Sequence, residues 1–192
     1  MQWPERVELS DASLLLRPWT LEDVPRVAEI CRDPEISRWT TVPWPYTEEH
    51  ARSWIEQTRR DWTRGEGEAA FAVTDAAGGA ILGAIGLRLP GRREREGTVG
   101  YWVAADARGR GVATGALRLV TDWAFRNLGL RRLELMTLPA NEASQRVAEK
   151  AGFRREGVVP GQVLHDGEPQ ECVLFSSGGD ALEDAEAGRD GT

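Results

Sequence analysis

Apolar residues recur along the chain with two different spacings, and the change between them marks where helices give way to strands. Up to residue 65 the spacing is helical, after one predicted strand at 13–18 that a proline closes. Thr20 can cap a first helix, and Thr47 a second helix that ends near Gly65. Their apolar stripes are Val24, Val27, Ala28 and Cys31 in the first, and Ala51, Trp54, Ile55, Thr58 and Trp62 in the second.

Strand patterns dominate from residue 68 onward. Segments 68–75 and 80–89 predict two strands joined by the turn AAGG. A charged loop at 91–96, either a solvated turn or a substrate contact, leads into a strand at 97–104. The later elements are a helix with the stripe Ala113, Leu117, Val120, Ala124 and Leu128, a strand at 131–138, a helix at 141–151, and strands at 152–159 and 170–177. This order, β-α-α-β-β-β-α-β-α-β-β, predicts a single mixed α/β domain.

Composition sets limits on function. The 192 residues are 41% hydrophobic and carry a net charge of −7. Much of that charge lies in an acidic segment at 178–192, which lacks apolar periodicity and is predicted to be a disordered tail. The predicted domain is 13–177, preceded by a polar lead-in at 1–12. Without a basic face, nucleic acid is not an expected partner.

Neither membranes nor metals are expected partners. The N-terminal stretch has no apolar core of the kind a signal peptide needs, and no segment reaches the length of a membrane span, which predicts a cytoplasmic protein. Cys31 and Cys172 form no CxxC pair, and His50 and His165 lie far apart in sequence. No spacing typical of metal ligands is present, so the cysteines are interpreted as reduced, buried thiols.

The stretch RGRGVATG, at 108–115, places glycines and two arginines just before an amphipathic helix. A helix N-terminus exposes unpaired N–H groups, and glycines let a ligand approach them closely, so this arrangement suits an anion such as phosphate. The P-loop pattern fails because no lysine follows the glycines. The dinucleotide pattern fails because the third glycine is Gly115 and not residue 114. A glycine-rich turn without a ligand remains the alternative.

The loop matches a third pattern, Arg/Gln-x-x-Gly-x-Gly/Ala, and so resembles the pyrophosphate loop of the GNAT superfamily of acyl-CoA-dependent N-acyltransferases. GYWV precedes the loop, and LRRLELMTLPANEASQRVAEKAGFRREG follows it, as in the RimJ/RimL-like branch, which acetylates protein N-termini. The resemblance covers 13–177. It implies the acyl-CoA N-acyltransferase fold, a mixed, mostly antiparallel sheet flanked by helices, with acetyl-CoA as co-substrate.

The resemblance also implies roles for individual residues. Trp102 and Val103 would pair with the pantetheine arm, and a main-chain N–H near Val103 would stabilise the oxyanion. Asn141 would bind the cofactor arm or serve only as a helix cap. Ser144 would donate to the leaving thiolate or lie only on the helix surface. The loop residues implied to hold the pyrophosphate are Arg108, Gly109, Arg110, Gly111, Val112, Ala113 and Thr114.

The usual general base is missing from its usual place. The resemblance puts a glutamate where this chain has Thr98, and another where it has Gly115. Glu134 remains as a candidate proton acceptor on the strand 131–138, with a structural carboxylate as the alternative. Glu171 is interpreted as structural.

Trp39, Trp44 and Tyr46 lie in an aromatic loop that, by the resemblance, borders the acceptor site. Packing is the alternative role. An α-amine has a pKa of about 7.7–8.0, against about 10.4 for lysine, and so depends less on a general base. The missing glutamate therefore favours an α-amine acceptor. The leading hypothesis is acetyl transfer to a protein or peptide N-terminus. The alternatives are a small-molecule amine acceptor, or a non-catalytic acyl-CoA-binding module. The protein is expected to be a monomer or a homodimer.

Overall fold

A computed structural model describes residues 7–89, 95–163 and 168–178, and its eight strands form one sheet. Two short 3₁₀ turns, Leu21–Asp23 and Ala105–Ala107, join longer elements. The helices are α1 (Val24–Ile30), α2 (Pro34–Trp39), α3 (Glu48–Arg64), α4 (Val112–Leu128) and α5 (Glu142–Lys150). The strands are β1 (Leu9–Ser10), β2 (Leu14–Pro18), β3 (Glu68–Asp75), β4 (Ile81–Arg88), β5 (Glu96–Val103), β6 (Arg132–Thr137), β7 (Arg154–Val163) and β8 (Pro169–Gly178).

The strand order across the sheet is β1-β2-β3-β4-β5-β6-β8-β7. Every neighbouring pair is antiparallel except β5 and β6, which run parallel and are joined through α4. The prediction of a mixed, mostly antiparallel sheet flanked by helices is therefore confirmed.

Two elements escaped the sequence analysis. β1 lies inside the predicted lead-in, where Leu9 pairs with Leu16 of β2. A two-residue strand is too short to leave a periodic signal. α2 begins at Pro34, after Asp33 accepts a hydrogen bond from the Glu35 N–H. Trp39 therefore ends a helix, where a loop residue was expected. The predicted tail, apart from Gly178 at the end of β8, lies outside the described residues, as does most of the charged loop 91–96.

Helices cover both faces of the sheet. α4 packs on one face so closely that a Cβ at Gly115 would lie 2.8 Å from Leu14 Cδ1. A side chain at this position, where the family resemblance leads one to expect glutamate, would require Leu14 to shift. On the opposite face, Trp54 of α3 packs with Trp102 of β5 at 6.4 Å between ring centroids. None of the described helices combines the length and apolar character that a membrane crossing needs.

Candidate active site

The parallel strands β5 and β6 separate soon after they begin. They pair only from Glu96 to Thr98 on β5, and the next residues of β6 pair with β8 alone. From Val99 to Val103, β5 pairs on one side with β4 and has no strand on the other. The sheet therefore opens into a cleft between two neighbouring strands.

The main-chain groups that face this cleft follow from the hydrogen-bond alternation of β4 and β5. The Ala104 N–H donates to the Leu82 carbonyl at 2.9 Å. In an antiparallel ladder every second residue bonds the partner strand, so Trp102 also bonds β4, whereas Tyr101 and Val103 point their N–H and C=O groups away from it. Of the two residues expected to bind the pantetheine arm, Val103 thus offers main-chain groups to the cleft, whereas Trp102 does not.

The Trp102 side chain has a different place. It lies on the sheet face covered by α3, in a cluster with Trp19 and Trp54. Trp19 is buried beneath the other two, which remain partly exposed. Trp102 therefore forms a wall beside the cleft with its ring.

The glycine-rich loop lies just beyond the end of β5. Gly109 and Gly111 have φ values of 76° and 81°, a region that L-residues with a side chain rarely adopt. A Cβ built at either glycine would meet no atom within 4 Å, so the surface of the loop is open at both positions. These two glycines in the left-handed conformation, on either side of Arg110, let the chain turn directly into α4.

Main-chain donors collect at this turn. The first hydrogen bond of α4 runs from the Gly115 N–H to the Gly111 carbonyl at 2.9 Å. Gly111 caps the helix without a side-chain acceptor. The N–H groups of 109–114 have no acceptor within the described part of the chain, because a helix leaves its first N–H groups unpaired. Val112 is buried, whereas Ala113 and Thr114 are partly exposed. Because residues 109–114 form one turn at the start of α4, their unpaired N–H groups lie close together.

The two arginines of the loop differ. Arg108 is held by the protein: its Nη2 donates to Asp33 Oδ2 at 2.6 Å and its Nε to the Val103 carbonyl at 3.2 Å. Arg110 is exposed and has no hydrogen bond or ion pair to any described residue. The sequence analysis assigned both arginines to the pyrophosphate, but of the two only Arg110 has a guanidinium without a described partner.

On the far side of the cleft, α5 presents Ser144. Its Oγ lies 2.9 Å from the Tyr101 hydroxyl, which reaches across from β5. Burial raises the pKa of Tyr101 to about 12, although the bond to Ser144 acts in the opposite direction, so this hydroxyl stays protonated near neutral pH. Tyr101 was not predicted, and no sequence pattern places a β5 side chain next to α5.

Asn141 caps α5, and its Oδ1 accepts the Ser144 N–H at 3.1 Å. Its amide nitrogen keeps its hydrogens free of described partners, so capping and cofactor contact are compatible. Arg118 of α4 donates to the Lys150 carbonyl and so ties the C-terminal end of α5 to α4. Both ends of α5 are thereby fixed relative to the cleft.

Glu134 lies on β6 between two buried leucines, as the alternation predicted, and its side chain points to the opposite face. Its Oε1 accepts Arg132 Nε at 3.0 Å, and Arg132 also lies 3.8 Å from Glu156 Oε1. The Ser176 hydroxyl lies 2.5 Å from the same Glu156 oxygen. Glu134 is thus part of an ion-pair network that the sequence did not reveal.

The three aromatic residues expected near the acceptor differ in exposure. Tyr46 is buried, its ring 5.5 Å from His50, and burial raises its pKa. Trp39 is partly buried and donates to Glu35 Oε2 at 3.0 Å. Trp44 is 55% exposed and, with Pro43, faces α2 across an open groove. Only Trp44 offers a largely free ring to a ligand.

Within the described ranges, Cys31, Cys172 and His50 form no reactive or metal-binding group. Cys31 is buried, and burial raises its pKa to about 12, so it is held as a thiol. His50 Nδ1 accepts the Thr47 N–H at 3.3 Å and completes the cap of α3. His165 lies outside the described residues, among which no group of three His, Cys, Asp or Glu side chains could hold a metal ion.

A sheet that opens between parallel strands, beside a helix N-terminus rich in free N–H groups, is the architecture of the acyl-CoA N-acyltransferases. Residues 13–154 match the family model described as an acetyltransferase (GNAT) domain. The chain belongs to this family of acetyltransferases, whose members take the acetyl group from acetyl-CoA.

Two relatives from Bacillus subtilis are similar in sequence. YjcK, named as a candidate N-acetyltransferase, is 33% identical over 123 residues, which are 64% of this chain and 67% of YjcK. YdaF, named as a candidate ribosomal N-acetyltransferase, is 30% identical over 122 residues, which are 64% of this chain and 65% of YdaF. The chain thus matches about two thirds of the length of these relatives.

A solved structure extends the likeness to nearly the whole fold. Mycobacterium smegmatis RimJ, in complex with CoA-disulfide, superposes with a TM-score of 0.79. The alignment covers 95% of this chain and 92% of RimJ at 23% identity.

Proposed function

We propose that this protein transfers the acetyl group of acetyl-CoA to a primary amine, and that the amine is the N-terminal α-amine of a protein or peptide. The cleft between β5 and β6 carries the proposal. Its wall offers the main-chain groups of Tyr101 and the Val103 N–H to the pantetheine arm and the thioester, and the N–H groups of 109–114, together with Arg110, lie next to it for the pyrophosphate. A flexible thioester bound at both places would be held with one face toward an amine.

The reaction would use groups that border the cleft. The amine nitrogen attacks the thioester carbon, and the Val103 N–H stabilises the oxyanion that forms. The C–S bond then breaks, and Ser144 gives its proton to the thiolate and regains one from solvent, while the Tyr101 hydroxyl, 2.9 Å away, hydrogen-bonds the Ser144 oxygen. Asn141 holds Ser144 in place through its cap and contacts the cofactor arm with its amide.

The preference for a polypeptide acceptor is supported by the shape and exposure of the acceptor side. The groove beside Trp44 is open, which suits the end of a chain better than a small molecule that needs enclosure. YdaF is named as a candidate ribosomal N-acetyltransferase. An α-amine, moreover, has a substantial neutral fraction near pH 7 and needs less help from a base than lysine does.

A thiol-release assay with acetyl-CoA tests the proposal. Acceptors are peptides with free N-termini, the same peptides with acetylated N-termini and one lysine, single amino acids and aminoglycosides. We expect turnover with the free N-termini and little with the lysine peptides. A preference for aminoglycosides would assign the enzyme to small-molecule amines, and binding of acetyl-CoA without turnover on any acceptor would make it a non-catalytic binding module.

A further inference from the structure

A row of polar side chains crosses the sheet beneath the candidate active site. Register pairs Glu68 of β3 with Arg88, Arg88 with Thr98, Thr98 with Glu134, and Glu134 with Ser176 of β8. Residues paired across strands share a face, so all five side chains lie on one face of the sheet. Thr98, where the family resemblance would have a glutamate, stands in the middle of this row.

The side chain of Glu68 extends from its own strand, β3, over the neighbouring strand β4. Arg88 Nη2 donates to its Oε2 at 3.0 Å. Its other oxygen, Oε1, lies so close to Gly86 that a Cβ there would be only 1.9 Å away. The carboxylate therefore leans across the backbone of β4, toward β5.

Gly86 is paired with Gly100 of β5, and neither has a side chain to fill the space between them. Glu68 Oε1 occupies the half of this hollow above Gly86, whereas a Cβ at Gly100 would meet no atom within 4 Å. The open half lies between Thr98 and Trp102 on the same face. It therefore adjoins the part of β5 that borders the cleft.

Glu68 and Glu134 differ in position and not in their number of partners. Glu134 Oε1 accepts a hydrogen bond from Arg132, which also approaches Glu156, and all three belong to the strands beyond the cleft. Glu68 Oε1 has no hydrogen-bond partner among the described residues and lies at the edge of the hollow above Gly100. An oxygen at the edge of an open hollow, beside the strand that borders the cleft, is placed to meet an ammonium group.

We propose that Glu68 is the general base of the reaction and that the acceptor amine enters the hollow above Gly100. This inference rests on the proposed acetyl transfer. The ammonium gives one proton to Glu68 Oε1, the neutral nitrogen forms the C–N bond, and the C–S bond breaks to release the thiolate that Ser144 protonates. The amide nitrogen loses its second proton to solvent, Ser144 regains a proton from solvent, and Glu68 releases its proton to solvent after turnover. Arg88 orients the carboxylate through its hydrogen bond to Oε2.

The test compares Glu68→Gln with two matched variants. Glu66→Gln removes an exposed carboxylate two residues earlier, and Glu134→Gln removes the competing candidate. Each variant is assayed by thiol release with one free-N-terminus peptide from pH 6.5 to 9.5. The melting-temperature rise caused by acetyl-CoA is measured in parallel to show that each variant folds and binds the donor.

We expect Glu68→Gln to lower kcat/KM by about 10²–10⁴-fold at neutral pH while the acetyl-CoA shift persists. The deficit should shrink by about tenfold toward pH 9.5, because the amine then loses its proton without a base. The charged groups nearest Glu68 are Arg88 on β4 and Asp61 on α3, and farther along lie Glu134 and Arg132. Glu68→Asp should recover part of the rate.

If the wild type turns over and Glu68→Gln behaves like Glu66→Gln, the assignment of Glu68 is wrong and the proposed function stands. A pH-dependent deficit in Glu134→Gln alone would also overturn it and assign the base to Glu134. If the wild type releases thiol with none of the amines, both proposals fall together.

Discussion

The two sides of the cleft are built in different ways. On the cofactor side, the donors are main-chain N–H groups of 109–114 and the edge of β5, which follow one another within 16 residues. Around the reacting centre and the acceptor, Glu68, Ser144 and Trp44 come from a strand, a helix and a loop that are far apart in sequence. A main-chain site depends on local conformation, whereas a side-chain site depends on how distant elements pack. Substitutions on the two sides should therefore fail differently.

The largest expected effect is on the cofactor side. Gly111→Asp should abolish the acetyl-CoA-induced rise in melting temperature, because it adds a negative charge beside the pyrophosphate and a side chain at a φ of 81°. Thermal shift measurements with increasing acetyl-CoA check this. Gly129→Asp is the matched control, since Gly129 also has a positive φ, at the other end of α4. It should lower the melting temperature yet keep the shift, and an equal shift in both variants would place the phosphates elsewhere.

The next largest effect is expected at Ser144, the proposed acid that protonates the leaving thiolate. Ser144→Ala should reduce kcat by about 10²-fold without weakening acetyl-CoA binding, because a donor to the developing charge is lost. With the pKa of Tyr101 at about 12, the hydroxyl pair keeps its protons throughout the range from pH 6.5 to 9.5. The deficit should then be constant across that range, unlike the deficit expected for Glu68→Gln. Steady-state rates of the wild type and Ser144→Ala at several pH values test this expectation. A deficit that changes with pH would argue against Ser144 as the acid.

A smaller effect separates the two loop arginines. Arg110→Ala should weaken acetyl-CoA binding by about tenfold through the loss of a charge-assisted contact, and the loss should fade at high salt. Arg108→Ala should weaken binding less, because Arg108 is engaged with Asp33 and the Val103 carbonyl. Calorimetric titration at two salt concentrations measures both. A larger loss for Arg108 would mean that its ion pair opens when the cofactor binds.

The smallest effect is expected at the rim of the acceptor side. Trp44→Ala should raise KM for a peptide acceptor by about twofold to fivefold, since a half-exposed rim contact contributes about 1 kcal/mol or less. Affinity for acetyl-CoA should not change. Val158→Ala removes a similarly exposed apolar side chain from β7 and serves as control. Peptide saturation curves at fixed acetyl-CoA provide the measurement, and equal KM values would leave Trp44 without a part in acceptor binding.

Sequence patterns predicted most of the elements and the glycine-rich turn before α4, because both depend on short-range rules. The stripe of α4 and the glycines before it define a helix start whatever packs around them. The alternation of β6 also correctly turned Glu134 away from Leu133 and Leu135. α2 was missed because six residues carry too little periodicity, although Asp33 and Pro34 were a readable start signal.

The sequence by itself determined a mixed α/β chain with a glycine-rich turn into a helix after the strand that contains GYWV. Tertiary structure alone decided which side chains meet around it. Register set Glu68, Arg88, Thr98 and Glu134 in one row, and the divergence of β5 from β6 opened the cleft. The pairing of Tyr101 with Ser144 likewise spans 43 positions. Contacts of this kind depend on strand order and register, which many distant residues fix together, so no local pattern encodes them.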